Sequence, residues 1–334
     1  MNIEMENLFP DILGHESVKN GLLHAIKTGR LHHALLLSGP SGIGKAMLAR
    51  AMIQTLWCVH SSIETPARCQ NCPQCNRVKN NAHPDLIEIQ TDTATLKIDA
   101  IRELQRKLAF PPYESQRRFV IIHDIHKMQD AAANCLLKTL EEPEPHTTFF
   151  LITSQIQRLL PTITSRCQLI RFAPFEHQTV VQFLRQQGQS QEMARQIAAL
   201  ADGSLGAALE LANEDYQREL LDTFESILNT QSTLHAFSIA ATLKGKKSLS
   251  EHLLALLLTY IRDLIVMKTA PNEPIVLEHY RERMTQRLPH TTCQSLQRAA
   301  TLIQDIQDAF LGNVNELLAW ERLVIGMHGV LYNT

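Results

Sequence analysis

The sequence predicts an α/β domain with a parallel sheet, followed by a region made only of helices. Five short apolar runs alternate with stretches of helical periodicity in the first half of the chain. A glycine-rich loop joins the first of these runs to a helix, which is the arrangement of a phosphate-binding loop. After Pro174 the apolar residues recur only at helical spacing. Strands that alternate with helices form a parallel sheet covered on both faces, and phosphate binds at its carboxyl edge.

The elements follow from these patterns in chain order. Strands are predicted at 32–38, 85–89, 119–123, 148–152 and 168–172. Helices are predicted between them at 45–57, 98–110 and 128–142. Two or three short helices are expected in 175–211, and long amphipathic helices in 212–334, such as 248–267 and 301–327. The predicted domains are an α/β domain at 1–172, a small helical domain at 173–211 and a helical C-terminal domain at 212–334.

The composition is that of an ordinary globular protein. Its 334 residues exceed the usual size of one domain, and 44% are hydrophobic and 20% charged. A formal net charge of −2 supplies no global basic field, which disfavours a free-standing DNA-binding protein. Residues 1–14 are acidic and lack the apolar core of a signal peptide. The most lipid-like run, 253–261, is far shorter than a membrane span of about 20 residues, so we expect a cytoplasmic protein.

Four of the seven cysteines share one segment with the spacing C-x10-C-x2-C-x2-C: Cys58, Cys69, Cys72 and Cys75. In a cytosolic chain such clustering indicates a metal site rather than disulfides. Zinc takes four thiolates in a tetrahedron, whereas C-x2-C-x2-C also resembles part of an iron–sulfur run. The ligand ten residues upstream and the lack of a redox-cofactor motif favour structural zinc. The nearby Arg68, Arg77 and Lys79 are either DNA contacts or a solvated face.

The glycine-rich loop lies in residues 38–49, which read SGPSGIGKAMLA. It matches the pattern G-x-x-x-x-G-K-[ST] except at the last position, through Gly39, Gly42, Gly44 and Lys45. In such loops the backbone N–H groups cradle phosphates, the lysine contacts the outer ones and the final hydroxyl binds Mg²⁺. Ala46 occupies the position of that hydroxyl and offers no ligand.

Asp124 follows the predicted strand 119–123, at the place where a metal-holding aspartate is expected. The next residue is Ile125, which can neither accept a proton nor orient water. His123 and His126 flank the position and are conceivable substitute bases. Alternatively, Asp124 only caps a turn after the strand.

Three segments carry a family resemblance: FPDILGHESVKNGLLHAIKTGRLHHALLLSGPSGIGK, DAAANCLLKTLEEP and LPTITSRC. They resemble the clamp-loader branch of the AAA+ ATPases, and the four-cysteine insertion is similar to that of the bacterial members in DNA polymerase III. The resemblance covers essentially the whole chain and is weakest over 212–334. It implies an AAA+ P-loop domain with a zinc-binding insertion, a small helical lid and an all-helical collar for oligomerisation.

The resemblance also implies that this chain is not a motor. A motor subunit of the family has threonine after the loop lysine, glutamate after the aspartate and an arginine in the lid. Ala46, Ile125 and Gly206 stand at these positions, although Thr153–Ser154 keep the polar end of the fourth strand. We therefore expect no useful intrinsic ATPase activity. Whether the loop still binds ATP or ADP, weakly or structurally, stays open.

Ser165, Arg166 and Cys167 form an SRC motif, whose arginine in this family reaches the γ-phosphate bound by the neighbouring subunit. Arginine suits that role because it is permanently charged and its fork matches phosphate oxygens. The alternative is a surface arginine paired with a carboxylate. Arg158 is a second cation on the same segment.

The implied partners are motor subunits and a clamp-opening subunit in a hetero-pentamer and, through the complex, the sliding clamp and primer–template DNA. Two other classes stay open at this stage. One is an ATP-hydrolysing motor of the same branch, and the other is a zinc-dependent DNA-binding protein.

Overall fold

A computed structural model describes residues 9, 11–62, 66–90, 95–230, 232–311 and 314–332. The chain divides into two compact units, Met1–Phe175 and Glu176–Thr334. The three-domain division, with its further boundary after residue 211, stays a prediction.

The first unit contains a sheet of five parallel strands: β1 (Ala34–Ser38), β2 (Leu86–Ile89), β3 (Arg118–Ile122), β4 (Thr147–Thr153) and β5 (Gln168–Arg171). Their order is β2-β3-β4-β1-β5. Every residue of β1, β3 and β4 is buried, as expected for parallel strands covered on both faces. The predicted strands are thus confirmed, with ends that differ by one or two residues.

Six helices accompany the sheet in the described part of this unit: α1 (Glu16–Lys27), α2 (Lys45–Trp57), α3 (Pro73–Lys79), α4 (Ile98–Leu108), α5 (Asp130–Glu141) and α6 (Pro161–Thr164). Two hydrophobic clusters cover the two faces. Leu35 and Leu37 of β1 belong to one cluster, and Ala34 and Leu36 to the other, because successive strand residues point to opposite faces. Helix α2 packs in the first cluster, and α4 and α5 in the second.

The loop between α4 and β3 is held from two sides by buried charged groups. The Asp85 carboxylate accepts hydrogen bonds from the backbone N–H groups of 113–115 at 2.6, 3.0 and 2.8 Å. The Arg118 guanidinium donates, at 2.8–3.0 Å, to the carbonyls of Lys107, Phe110 and Pro111. Both Asp85 and Arg118 are buried, and their hydrogen bonds to the backbone hold this loop in place.

The second unit has no strand in its described residues and consists of nine helices there: α7 (His177–Gln186), α8 (Gln191–Leu200), α9 (Leu205–Leu211), α10 (Glu214–Leu228), α11 (Thr233–Leu243), α12 (Lys247–Thr269), α13 (Arg281–Arg287), α14 (Cys293–Leu311) and α15 (Glu316–Tyr332). Gly206 is the second residue of α9. No described helix of either unit combines the length and the apolar character that crossing a membrane requires.

One predicted helix is wrong. The run 301–327 is not a single helix, because α14 ends at Leu311 and α15 begins at Glu316. The Asn315 side chain accepts a hydrogen bond from the Leu317 N–H at 3.1 Å. Asparagine is a preferred residue at helix N-termini, so it starts a new helix within an otherwise continuous apolar pattern.

Candidate functional site

The glycine-rich loop connects β1 to α2, and its lysine is bound within the loop. Lys45 is the first residue of α2 and is buried. Its Nζ donates to the carbonyl oxygens of Gly39 and Pro40 at 2.7 and 2.5 Å. Burial lowers the pKa of Lys45 to about 8, against the opposing effect of the Asp124 carboxylate. The ammonium group therefore satisfies carbonyls of its own chain.

The loop glycines serve different purposes. A Cβ atom on Gly39 would lie 2.4 Å from the backbone oxygen of Phe172, so this glycine permits close packing against the segment after β5. Gly44 has φ +96° and open space around its Cβ position. Gly42 has φ +71°. These two supply the left-handed backbone that glycine adopts without steric cost.

His15 contacts the backbone of the glycine-rich loop. It was not identified from the sequence as a residue of this site. Its Nε2 lies 2.9 Å from the Ile43 carbonyl oxygen. Its ring contacts Phe172 and Phe175, with centroid distances of 4.9 and 4.7 Å. Burial, the largest influence, lowers the pKa of His15. No local pattern marks it, because its partners lie far along the chain.

At the positions predicted to bind metal and to activate water, the side chains contact other groups of the same chain. Asp124 has left-handed backbone, and its carboxylate lies 2.7 Å from Lys127 Nζ. Ile125 is buried in the hydrophobic cluster beside α4 and α5. Ala46 packs against the other cluster. Neither Ala46 nor Ile125 brings a metal ligand or a base to the site.

The two histidines that flank Asp124 take part in other hydrogen bonds. His123 Nε2 lies 2.5 Å from a carboxylate oxygen of the nearly buried Glu88. His126 Nδ1 lies 3.2 Å from the hydroxyl of Thr153, at the end of β4. Each histidine has a structural partner, so the geometry does not favour either as a substitute base.

The SRC motif lies between α6 and β5, and its residues have distinct surroundings. Cys167 packs against a hydrophobic cluster, and burial raises the pKa of its thiol to about 11. The Ser165 hydroxyl donates to the Thr162 carbonyl at 3.1 Å. Arg166 donates to the same carbonyl at 2.9 Å, and its other terminal nitrogen lies 2.6 Å from a carboxylate oxygen of Glu141. The carboxylate pairing considered from the sequence is therefore present.

Arg166 is nevertheless accessible, since its side chain is 35% exposed. It lines an open depression of about 500 Å³ whose walls include Glu141, Ser165, His32 and His33. Arg158, also on the surface, donates to the Gln155 side chain at 3.1 Å.

The four cysteines form one cluster, in which all four sulfur atoms lie within 4.8 Å of one another: Cys58, Cys69, Cys72 and Cys75. Backbone N–H groups donate to three of the sulfurs at 3.2–3.4 Å. Such bonds favour the thiolate, the form that binds metal. Burial acts against this effect at Cys72, whose pKa is still lowered to about 6. The Gln54 side chain of α2 donates to the Cys75 carbonyl at 2.9 Å, which ties the cluster to the sheet domain.

The basic residues around this cluster are mostly paired within the chain. Arg68 forms an ion pair with Asp11, and its own side chain is largely buried. Arg77 forms an ion pair with Glu114. Lys79 is exposed at the end of α3. Two of the three basic residues are therefore paired with carboxylates of the same chain, which disfavours an open basic patch here.

Comparison with known proteins identifies the family. The model of the family described as "DNA polymerase III, delta subunit" matches residues 14–176. The DNA polymerase III subunit delta' of Bacillus subtilis is 30% identical over 313 residues, which cover 91% of this chain and 93% of that protein. The chain belongs to the delta-prime family of DNA polymerase III subunits. The predicted family is confirmed, and so is the predicted α/β fold with a parallel sheet and a helical second half.

Further similar proteins are also DNA polymerase III subunits or are related to them. The delta' subunit of Escherichia coli is 37% identical over 197 residues, or 58% of each chain. The tau subunit of Bacillus subtilis is 31% identical over 295 residues, covering 81% of this chain and 52% of that protein. This chain thus spans about half the length of the tau relative. A solved structure of a gamma-subunit-related protein from Thermotoga maritima covers 92% of this chain and 99% of its own, with 18% identity and a TM-score of 0.45.

Proposed function

We propose that this chain is a clamp-loader subunit that does not hydrolyse ATP and that donates Arg166 to the ATP site of a neighbouring motor subunit. Its relatives include delta-prime and tau subunits of DNA polymerase III, which supports membership of the same assembly. In this proposal the chain occupies a hetero-pentamer with motor subunits and a clamp-opening subunit. Through that complex it serves the loading of a sliding clamp on primer–template DNA.

The contrast between the degenerate loop and Arg166 carries the proposal. ATP hydrolysis requires a phosphate cradle, a metal ion and a group that orients water. In this chain Lys45 is bound by loop carbonyls and Asp124 by Lys127. Ala46 and Ile125 offer neither a magnesium ligand nor a base. We infer weak or absent nucleotide binding and no useful turnover.

Arg166, in contrast, presents a permanent positive charge at an accessible surface. The adjacent Cys167 packs against the hydrophobic cluster and so helps to fix the backbone at this position. Two N–H groups of a guanidinium can bind two phosphate oxygens at once. Directed at the γ-phosphate of a neighbour's ATP, they stabilise the charge that develops as water attacks. In GTPases such an arginine accelerates hydrolysis by about 10³–10⁵-fold.

The test is ATP turnover in a complex reconstituted with motor subunits, in which only the adjacent motor site is intact. We expect Arg166→Ala to lower turnover by about 10³-fold or more. Arg158→Ala is the matched control and should have little effect, because that arginine lies outside the SRC motif. Lys45→Ala should also change turnover little.

Equal losses from Lys45→Ala and Arg166→Ala would contradict the proposal. Mg²⁺-dependent ATP hydrolysis by the purified chain alone, abolished by Lys45→Ala, would instead establish the motor alternative.

We further propose that the four-cysteine cluster holds one structural Zn²⁺. A tetrahedral site with Zn–S distances of about 2.3 Å has sulfur–sulfur separations of about 3.8 Å, compatible with the compact group of sulfurs. Such a group encloses one ion and leaves little room for several irons with bridging sulfides. Four thiolates fill the coordination sphere, so the ion would stabilise the insertion without binding substrate.

A further inference from the structure

The ion pair between Arg166 and Glu141 has a consequence for how the arginine could act in trans. Glu141 is the last residue of α5, and Arg166 lies 25 residues later in the turn before β5. Their charged atoms are 2.6 Å apart, while the side chains are 47% and 35% exposed. The Thr162 carbonyl accepts from the other terminal nitrogen of the guanidinium at 2.9 Å. The guanidinium is thus turned toward groups of its own chain.

Glu141 occupies a position that is locally unfavourable for an acid. The C-terminal end of a helix carries partial negative charge, so a carboxylate is disfavoured there unless a cation compensates it. Arg166 is that cation. His33, which also lines the depression, has a lowered pKa because of burial and the nearby His32, so it does not replace the arginine as a cation near neutral pH.

We propose that Glu141 is a holding residue, which keeps Arg166 bound in cis until a phosphate of the neighbour's nucleotide takes the place of its carboxylate. This inference rests on the proposed trans role of Arg166. Carboxylate and phosphate offer the guanidinium the same paired oxygen geometry. The ion pair is partly exposed and therefore weak, whereas a nucleotide phosphate carries more charge. The exchange consequently favours the phosphate, but the lost pairing with Glu141 reduces the net affinity.

The experiment measures ATP concentration dependence in the reconstituted complex with one intact motor site. Glu141→Gln keeps the side chain's size and removes its charge. We expect the half-saturating ATP concentration to fall by about 1.5- to 5-fold, the range of an exposed ion pair, with kcat unchanged. Glu142→Gln, which neutralises the adjacent exposed carboxylate, is the control and should leave both parameters unchanged. In an Arg166→Ala background, Glu141→Gln should have no effect.

The outcomes separate the two proposals. If Arg166→Ala behaves like Arg158→Ala, the trans role itself fails. If Arg166→Ala impairs turnover but Glu141→Gln leaves the half-saturating concentration unchanged, or lowers kcat, only the holding role fails. An equal effect of Glu141→Gln with and without Arg166 would identify a general structural effect and would also overturn the holding role.

Discussion

Replacing Asp85 with asparagine tests how firmly the loop between α4 and β3 is held. The Asp85 carboxylate accepts three backbone hydrogen bonds in a buried environment. An asparagine keeps one oxygen, and its NH₂ group faces an N–H donor where the second oxygen was. Hydrogen bonds to charged groups contribute about 1.5–3 kcal/mol each, so losing one and weakening the others should lower the free energy of unfolding by about 2–4 kcal/mol.

The pH dependence provides a second signature. Burial raises the pKa of Asp85, but the backbone N–H groups of 113–115 outweigh it and hold the pKa below its usual value. A depressed carboxyl pKa stabilises the fold above the unfolded-state value of about 3.9, and this stabilisation is lost as pH falls through the folded-state value. The stability difference between wild type and Asp85→Asn should therefore be constant near neutral pH and shrink below about pH 4.

The assay is urea unfolding followed by tryptophan fluorescence. Trp57 reports on the first unit, because it donates to the Arg117 carbonyl and stacks on His83, beside the loop. A Trp320→Phe background removes the only other tryptophan. Asp99→Asn, an exposed carboxylate on α4, is the control and should cost less than about 1 kcal/mol. A loss for Asp85→Asn no larger than the control's, or one that persists unchanged in acid, would refute the reasoning.

Two further predictions concern the metal and the loop. The purified protein should be colourless, with one tightly bound zinc per chain. Cys75→Ser should weaken zinc binding by more than about 100-fold, whereas Cys293→Ser, at an exposed cysteine outside the cluster, should not. Iron with acid-labile sulfide would contradict this prediction. Gly39→Ala should destabilise the first unit by about 3 kcal/mol, because its Cβ meets the Phe172 oxygen. Gly29 also has positive φ but open space around its Cβ position, so Gly29→Ala should lower the free energy of unfolding by about 1 kcal/mol through backbone strain alone. Equal losses for the two variants in urea unfolding would mean that packing at Gly39 is unimportant.

The features that could be predicted from the sequence are those that local patterns encode. The apolar run of β1 and the helical spacing after Lys45 mark a strand and a helix with nearly correct ends. The cysteine spacing likewise brings four sulfurs together, because short separations along the chain limit their distance in space. By contrast, the break at Asn315 was missed because the apolar pattern continues across it.

The residues that could not be predicted depend on tertiary placement. In the sequence, Asp85 is a polar residue at the start of a predicted strand. No neighbouring residue indicates that its carboxylate binds the backbone of 113–115. Glu141 meets Arg166 only because the ends of α5 and α6 come together at one surface. The ion pair of Lys127 with Asp124 differs from these contacts, because a separation of three residues along the chain is typical of local ion pairs.

The internal bonding of Lys45 has a consequence for how this subunit responds to the cell's nucleotide supply. A protein that binds a ligand only in its folded state gains stability by mass action as the ligand concentration rises. Here the ammonium group is already satisfied by the carbonyls of Gly39 and Pro40. Any nucleotide phosphate would have to compete with those bonds before it gained a contact of its own. We therefore expect the free energy of unfolding of the first unit to change little with the concentration of ATP or ADP, in keeping with the proposed loss of nucleotide binding.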